Sequence, residues 1–276
     1  MTQTFTLTAD QREEFERRGL LRLEGLLSAE RIGPAREAVL RPLERLGLWW
    51  DGAWRLDRWP KPQWPASGLK TARVIGNKRP ELEALIEEPA LLAVVDSLLE
   101  GRPFDRSIYK RPQLLFTLPN IETWTLPAGW HLDVPRLASG EAPGVQVFTF
   151  LDAVGPGGGG TLVIAGSHRL LNDGRFHKTG KVMKALRREA FFDDLCAGAL
   201  DGGEGLPSGA VGDVPLQVVE LTGAPGDAWL MDLRVLHTGA PNASDRPRMM
   251  ATHRFLRTDL APEVAQGFDW TADPKP

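Results

Sequence analysis

Cysteine is nearly absent from this chain, since its 276 residues include only Cys196. A single thiol excludes any disulfide within the chain, and proteins without disulfides are typical of reducing compartments. We therefore expect a cytoplasmic protein in which Cys196 serves as a small buried hydrophobic residue. The first five residues lack both the basic start and the apolar core of a signal peptide, so we expect none.

Two further absences narrow the class of protein. No run of residues is both long and apolar enough to cross a bilayer, so the sequence predicts no membrane span. Basic residues are not in excess, because 33 lysines and arginines are balanced by 36 acidic residues, for a net charge of −3. We therefore expect neither nucleic acid nor a membrane surface as a partner. With 42% hydrophobic and 25% charged residues, the composition is typical of a globular protein.

His131 and Asp133 are the first residues that indicate chemistry, because they stand two residues apart in an apolar neighbourhood. Residues i and i+2 of an extended strand point to the same side, so both side chains can converge on one ion. His237 follows a run of alternating, largely apolar residues, and a return strand of the same sheet would bring it to that ion. Two histidines and one carboxylate suit non-haem Fe(II) and leave coordination positions open.

Arg248 follows His237 in the chain and begins a predicted strand that extends to Arg257. We expect this strand to run antiparallel beside the strand of His237. An arginine there can hold one end of a dicarboxylate by a bidentate ion pair while the other end of the molecule chelates iron.

Three motifs together resemble the phytanoyl-CoA dioxygenase family of Fe(II)/2-oxoglutarate oxygenases, over roughly residues 105–257. The motifs are His131-x-Asp133, then Gly160-Thr161-Leu162-Val163-Ile164-Ala165-Gly166-Ser167-His168-Arg169, then His237-Thr238-Gly239-Ala240-Pro241-Asn242 with Arg248. The resemblance implies Fe(II), 2-oxoglutarate and O2 as cofactors.

Each site residue that the resemblance implies has a defined role. His131, Asp133 and His237 would be the catalytic metal ligands. Arg248 would pair with the distal carboxylate of 2-oxoglutarate, and Thr149 and Gln113 would approach the cosubstrate from adjacent strands. The family often has an aromatic residue near the position of Thr149, so this contact departs from its pattern. His168, the main competing ligand, belongs to a structural turn in the family.

The same resemblance implies a reaction. Oxidative decarboxylation of 2-oxoglutarate to succinate and CO2 would be coupled to oxidation of a C–H bond in a small organic substrate. Related halogenases lack the carboxylate ligand, so Asp133 favours hydroxylation or a desaturation-type oxidation. Two alternatives stay open. A cupin-type metal-dependent lyase or isomerase without 2-oxoglutarate would not need Arg248, and a non-catalytic barrel that binds a small molecule would not need all three ligands.

The order of predicted elements indicates the fold. Helical patterns collect at the front, and strands with short Gly/Pro turns fill the rest. This order predicts a mainly β protein with helical flanks, a double-stranded β-helix or jelly-roll barrel of the cupin type. We expect one domain, with a helical N-terminal buttress over 1–104, a jelly-roll core over 105–257 and a loosely held tail over 258–276.

Several segments of the core carry specific expectations. Trp124 to Asp133 is a predicted strand, and the run Gly157 to Gly160 predicts a hairpin turn rather than a phosphate-binding loop, because a strand follows it. Residues 170–215 form an insertion with a predicted helix from Gly180 to Ala199, which we interpret as a lid over the site. Its basic residues are either anion contacts or a solvated face: Lys178, Lys181, Lys184, Arg187 and Arg188.

Two features concern the substrate. Residues 48–65 hold five tryptophans, which either pack a loop onto the barrel or form a wall of the substrate pocket with charge from Arg55, Arg58 or Lys61. Arg136 closely follows the ligand pair, and Pro135 should stiffen its approach. We expect Arg136, with Trp130, near the pocket mouth, where a guanidinium suits an anionic substrate group; the alternative is a surface arginine paired with an acid.

Overall fold

The computed structural model of the protein describes residues 6–55, 79–105, 111–200 and 205–267. Its helices are α1 (Ala9–Arg18), α2 (Ala29–Arg45), α3 (Pro80–Leu85), α4 (Pro89–Leu98), α5 (Thr179–Leu186), α6 (Ala190–Ala197) and α7 (Ala261–Ala265). Its strands are β1 (Leu20–Leu23), β2 (Trp49–Trp50), β3 (Ala53–Trp54), β4 (Phe104–Asp105), β5 (Gln113–Thr117), β6 (Gly144–Phe150), β7 (Thr161–Ala165), β8 (Ser208–Val211), β9 (Val214–Glu220), β10 (Ala228–Asp232), β11 (His237–Gly239) and β12 (Arg248–Arg257). Within the described ranges, no helix has the length and hydropathy to span a membrane.

The first helix is set by local signals at both ends. Thr8 caps α1 through a capping box with Gln11, in which each side chain accepts a hydrogen bond from the other residue's backbone. Gly19 ends the helix in the left-handed conformation, with φ at 67°, and its N–H donates to the carbonyl of Phe15 at 2.7 Å. The chain then enters β1 directly, so α1 is fixed against the edge of a sheet.

A major antiparallel sheet forms one wall of the fold. Its order is β1-β10-β6-β12, and both β4 and β5 pair with the far side of β12. Alternate residues of each strand point to opposite faces. Val145 and Val147 of β6 therefore pack in the cluster formed with the N-terminal helices, whereas Phe148 and Phe150 point toward the second sheet.

A minor antiparallel sheet forms the opposite wall, in the order β11-β7-β9-β8. Apolar side chains from both sheets meet between them, among them Phe150 of β6, Val163 of β7 and Met250 of β12. Two opposed antiparallel sheets with helical flanks are the architecture that the element order predicts.

The insertion over 170–215 packs outside the minor sheet. It forms two helices, α5 and α6, rather than one, and it also contributes β8. Phe192 of α6 is fully buried in a cluster with Leu162 of β7 and Val218 of β9. The five basic residues are solvent-exposed, and Cys196 on α6 is only half-buried. In its described part the insertion is thus an outer layer, and it does not form the expected lid over the cavity that contains His131.

Three other expectations need correction. The segment from Trp124 to Asp133 is not a strand, since its only pairing is one bridge at His131. Pro127 and Gly129 lie inside the segment and interrupt regular pairing. The run Gly157 to Gly160 does not form a hairpin, because β6 and β7 lie in different sheets. The tail is packed as far as α7, where Val264 is fully buried.

The tryptophan-rich segment is described only in part. Trp49 and Trp54 pair across the β2–β3 hairpin, with ring centroids 4.8 Å apart, and both pack against the core cluster of the N-terminal helices. Trp50 is 63% exposed. Trp59, Trp64, Arg58 and Lys61 lie outside the described residues.

Candidate metal and cosubstrate site

His131 and His237 are brought together by their own backbones. Each donates its N–H to the carbonyl of the other at 3.0 Å, and their ring centroids lie 4.6 Å apart. His237 begins β11 and pairs with Val163 of β7, so the minor sheet fixes its position. The bridge to His237 is what positions His131 in its otherwise irregular segment.

Asp133 completes a cluster of three possible metal ligands. One carboxylate oxygen, Oδ2, lies 3.2 Å from Nε2 of His237, and the other, Oδ1, lies 3.9 Å from Nε2 of His131. One ligand atom from each residue lies within 4.8 Å of the other two. The spacing of His131 and Asp133 therefore places both side chains on one side even without a regular strand.

The orientation of both imidazoles suits metal binding. Nδ1 of His131 lies 3.2 Å from the carbonyl of Gly129, and Nδ1 of His237 lies 3.2 Å from the carbonyl of Val235. Because a carbonyl only accepts, each ring would donate through Nδ1 when a metal takes Nε2. Burial, followed by the charge of His237, lowers the pKa of His131, which favours its neutral form. These donors fit Fe(II).

Arg254 is a site residue that the sequence analysis missed. Its Nε donates to Oδ2 of Asp133 at 2.8 Å, and its Nη2 contacts the same oxygen. The amide of Gln146, oriented with its nitrogen toward Asp133, donates to Oδ2 at 3.3 Å. Burial opposes ionisation of Asp133, but His237 and then Arg254 outweigh it and hold its pKa well below the usual range. The alternation of β12 could have revealed Arg254, because Arg248 and Arg254 share one face of the strand.

Arg248 is buried in the same cavity, with 8% of its surface exposed. Its Nη2 donates to the hydroxyl of Thr117 at 2.8 Å and its Nη1 donates to the carbonyl of Gly159. Burial lowers its pKa to about 10, so it remains a cation at neutral pH. Its Nε is fully buried and has no hydrogen-bond partner among the described residues, and Glu220 is the acidic residue that acts on its charge. A fixed, buried guanidinium that lines the cavity fits the carboxylate of a dicarboxylate ligand.

The cavity that these residues share has a volume of about 540 Å³ and lies between the two sheets. His131, Asp133 and His237 line it from one side, and Arg248 and Arg254 line it from β12. Arg248 thus approaches from the opposite sheet, and the expectation that its strand runs beside that of His237 is wrong. Gln113 of β5 also lines the cavity, as do Phe148, Thr161, Thr238 and Thr252.

Two of the predicted contact residues, Thr149 and Trp130, point away from the cavity. Thr149 lies between Phe148 and Phe150 on β6, so its side chain points away from the cavity, and its hydroxyl donates to the carbonyl of Asp227. Trp130 alternates with His131 and is therefore buried in the outer cluster with Leu132. Neither residue is placed to touch a cosubstrate or substrate in the cavity.

Arg136 is not at the pocket mouth. It is 1% exposed, and its two Nη atoms donate to the carbonyls of His168 at 2.7 Å and Ser167 at 2.6 Å. Burial lowers its pKa to about 9, against the opposing charge of Asp232. Neither the substrate-contact hypothesis nor the surface alternative fits, because Arg136 stabilises the turn after β7 from inside.

His168 is held in that turn. Its Nε2 donates to the carbonyl of Glu16 at 2.9 Å, near the C-terminus of α1. A Cβ at Gly19 would lie 2.5 Å from Nδ1 of His168, so the glycine is needed for this close approach. His168 therefore joins α1 to the minor sheet, and it is not one of the residues that line the cavity.

Comparisons with known proteins agree with this geometry. The family described as Phytanoyl-CoA dioxygenase (PhyH) matches residues 15–250. The chain therefore belongs to the phytanoyl-CoA dioxygenase family and is an Fe(II)/2-oxoglutarate-dependent oxidoreductase, with Fe(II), 2-oxoglutarate and O2 as cofactors. Nothing in the comparisons supports a cupin-type lyase or isomerase, or a non-catalytic barrel.

Similar proteins extend over most of the chain. Uncharacterized protein Mb1539 of Mycobacterium bovis is 25% identical over 246 residues, which cover 88% of this chain and 72% of that protein. SnoK, a non-heme alpha ketoglutarate dependent carbocyclase from nogalamycin biosynthesis, is 19% identical with a TM-score of 0.56, over 91% of this chain and 84% of SnoK. AviO1 from Streptomyces viridochromogenes Tue57 is 20% identical with a TM-score of 0.53, over 92% of this chain and 97% of AviO1. These likenesses confirm the predicted jelly-roll fold.

Proposed function

We propose that His131, Asp133 and His237 hold the catalytic iron and that Arg248 binds the distal carboxylate of 2-oxoglutarate. The observation that supports both assignments is one cavity in which three convergent ligand atoms lie opposite a buried, charged guanidinium. Gln113 lines the same cavity and is proposed as a further cosubstrate contact.

When bound, Fe(II), 2-oxoglutarate and O2 would together supply the oxidant: one oxygen atom of O2 would enter succinate as 2-oxoglutarate loses CO2, and the other would oxidise an unactivated C–H bond of the substrate. The residues of the protein would hold the metal ligands and the cosubstrate anchor in fixed orientations. Carbonyls of Gly129 and Val235 fix the two imidazoles, Arg254 fixes the carboxylate, and Thr117 fixes Arg248. Phe148 gives the cavity an apolar wall on the side of the core between the sheets.

We further propose a small organic substrate that is hydroxylated or oxidised in a desaturation-type reaction. The carboxylate of Asp133 occupies the ligand position that related halogenases leave open, which favours oxidation over halogenation. SnoK acts in nogalamycin biosynthesis, and this supports a small molecule as the substrate class here. A cytoplasmic location is proposed from the single cysteine, Cys196.

Anaerobic titration tests the iron assignment. Fe(II) with 2-oxoglutarate should give a weak visible charge-transfer band, because the band requires keto-acid chelation. Removal of a metal ligand should weaken Fe(II) binding by more than a factor of about 10–100, which is typical when a residue that only supports a ligand is removed. His237→Ala should therefore lose the band and most iron affinity while it remains folded. The matched control is His177→Ala, which removes an imidazole paired with Asp173 at 2.9 Å outside the cavity lining. Full iron affinity in His237→Ala would show that the assigned triad is wrong.

The cosubstrate assignment is tested with a pair of arginines. Truncation of one partner of a buried charge pair costs about 2–5 kcal/mol, so Arg248→Ala should raise the 2-oxoglutarate requirement by well over tenfold and leave iron affinity nearly intact. Arg246→Ala is the control of equal charge, because the Arg246 side chain is 53% exposed and approaches Asp152 rather than the cavity. If Arg246→Ala caused the loss instead, Arg248 would not be the anchor.

A further inference from the structure

The glycine run Gly157–Gly160, between β6 and β7, binds the carboxylate of a residue of the protein itself. Glu220, on β9 opposite Leu162, directs its carboxylate into this run. Its Oε2 accepts from the N–H of Gly157 at 2.8 Å, and its Oε1 accepts from the N–H of Gly160 at 3.1 Å. Successive backbone N–H groups in such a turn form an anion-binding concavity. The run is therefore a cradle for a carboxylate, and neither a hairpin turn nor a phosphate loop.

Glycine is required at this run for two reasons. Gly157 and Gly159 have φ values of 73° and 81°, in the left-handed region that favours glycine. At Gly160 a Cβ would lie 2.3 Å from the carbonyl oxygen of Leu221, beside Glu220. The backbone of the run is thus pressed against β9, which brings its N–H groups within reach of the carboxylate.

The opposite side of the same run contacts Arg248. The carbonyl of Gly159 accepts the hydrogen bond from Nη1 of Arg248. Gly159 thus lies between the two N–H groups held by Glu220 and the guanidinium that faces the central cavity. Glu220 itself lines a separate, outer cavity, while Arg248 lines the inner one. The carboxylate holds the run from outside, and the run holds the guanidinium from inside.

We propose that Glu220 is a positioning residue for cosubstrate binding, which acts through the Gly157–Gly160 run to fix the guanidinium of Arg248. The inference rests on the proposed role of Arg248 as the 2-oxoglutarate anchor. The two N–H groups donate to different oxygens of Glu220, and a carboxamide offers an acceptor oxygen at only one of these two positions. Glutamine at this position leaves one buried N–H opposite its own NH2 group, and aspartate is too short by one methylene to reach both donors.

A purely electrostatic role for Glu220 predicts the opposite result. Its negative charge lies on the side of Arg248 away from the cavity and opposes the binding of a dianion in that cavity. If only the charge mattered, Glu220→Gln would tighten 2-oxoglutarate binding and Glu220→Asp would leave it unchanged. If Glu220 positions the run, both variants weaken binding. The sign of the change therefore separates the two roles.

The experiment is an anaerobic titration of the Fe(II) protein with 2-oxoglutarate, followed by the charge-transfer band. Loss of one buried hydrogen-bond partner typically changes an equilibrium by about fivefold or more, so we expect Glu220→Gln and Glu220→Asp to raise the dissociation constant for 2-oxoglutarate by about that factor. Iron affinity, measured without 2-oxoglutarate, should stay within about twofold, because the run touches none of the three ligands. The control is Asp213→Asn, which makes the same charge change at an exposed turn between β8 and β9.

Two further measurements do not depend on turnover. Amide hydrogen exchange should accelerate at Gly157 or at Gly160 in Glu220→Gln, since one of these two N–H groups loses its acceptor. Gly159→Ala should weaken 2-oxoglutarate to a similar extent, because a Cβ there would lie 3.0 Å from Cβ of Asn242 and displace the carbonyl that Arg248 contacts.

Unchanged or tighter 2-oxoglutarate binding in Glu220→Gln would overturn the inference. Arg248→Ala distinguishes this failure from failure of the proposed function. If Arg248→Ala weakens 2-oxoglutarate while both Glu220 variants bind it normally, only the role of Glu220 is wrong. If Arg248→Ala itself binds normally, the cosubstrate anchor is misassigned and the inference fails with it.

Discussion

At the scale of single residues, Arg136 shows how burial changes the meaning of a charged side chain. Its guanidinium satisfies the carbonyls of Ser167 and His168 below the protein surface. Without the guanidinium the carbonyl of His168 loses its side-chain donor and the carbonyl of Ser167 keeps only the N–H of Leu170 at 3.2 Å, so Arg136→Met should lower the free energy of unfolding by at least about 2 kcal/mol. Urea unfolding measures this change, and Arg169→Met, at an exposed neighbouring position, should have little effect. Normal stability with a selective loss of substrate affinity would restore the substrate-contact hypothesis.

Arg254 leads to a second prediction at this scale. Its two contacts to Oδ2 orient Asp133 and leave Oδ1 for a metal, which is how supporting residues commonly position a carboxylate ligand. Arg254→Gln should therefore weaken Fe(II) binding by about 10–100-fold, measured by anaerobic calorimetry. Arg254→Lys should recover little of the loss, because an ammonium cannot reproduce two parallel donors. The positive charge also repels a cation, so tighter iron binding in Arg254→Gln would show that repulsion outweighs positioning.

At the scale of elements, local signals were sufficient where an element is defined by its own residues. Thr8 and Gly19 fix both ends of α1 through local hydrogen bonds, and the strand predicted from Arg248 to Arg257 is β12 with both ends correct. The segment from Trp124 to Asp133 was mispredicted because its apolar residues suggest a strand while Pro127 and Gly129 prevent regular pairing. The hairpin predicted at Gly157 to Gly160 failed because sheet membership depends on distant partners, which no local pattern contains.

The outer layer formed by α5 and α6 allows an element-scale prediction. Phe192 is fully buried against the minor sheet, and truncation of such a side chain costs about 3–5 kcal/mol. Phe192→Ala should therefore destabilise the protein by that amount in urea unfolding. Lys184→Ala, on the exposed face of α5, should change neither stability nor 2-oxoglutarate affinity. A large loss of cosubstrate or substrate binding in Lys184→Ala would favour the lid hypothesis instead.

At the scale of the whole molecule, the site is built across the gap between the two sheets. His237 belongs to the minor sheet, whereas Arg248 and Arg254 belong to β12 of the major sheet. The sequence motifs identified His131, Asp133, His237 and Arg248, and the structure places all four in one cavity. The alternation of β12 places Arg254 on the face of Arg248, but it does not show that Arg254 meets Asp133, because 121 positions separate the two residues. The contact between Gln146 and Asp133 likewise depends on how the segment of Asp133 packs against β6, which no local pattern contains.

If the ligand triad holds iron and Arg248 holds the distal carboxylate of 2-oxoglutarate, as proposed, the bound pair would connect the two sheets. A ligand at about 100 times its dissociation constant stabilises the folded state by about 2.7 kcal/mol, and in a protein of this size each kcal/mol raises Tm by about 2–4 °C. We therefore expect Fe(II) and 2-oxoglutarate each to raise Tm by roughly 5–10 °C in anaerobic thermal unfolding, when each is at about 100 times its dissociation constant. In Arg248→Ala the rise in Tm caused by 2-oxoglutarate should disappear and the rise caused by iron should remain. Arg246→Ala should show both rises in Tm. Should 2-oxoglutarate alone raise Tm as much as it does with iron, it would bind without chelation, and the two ends of the site would not be joined through the metal.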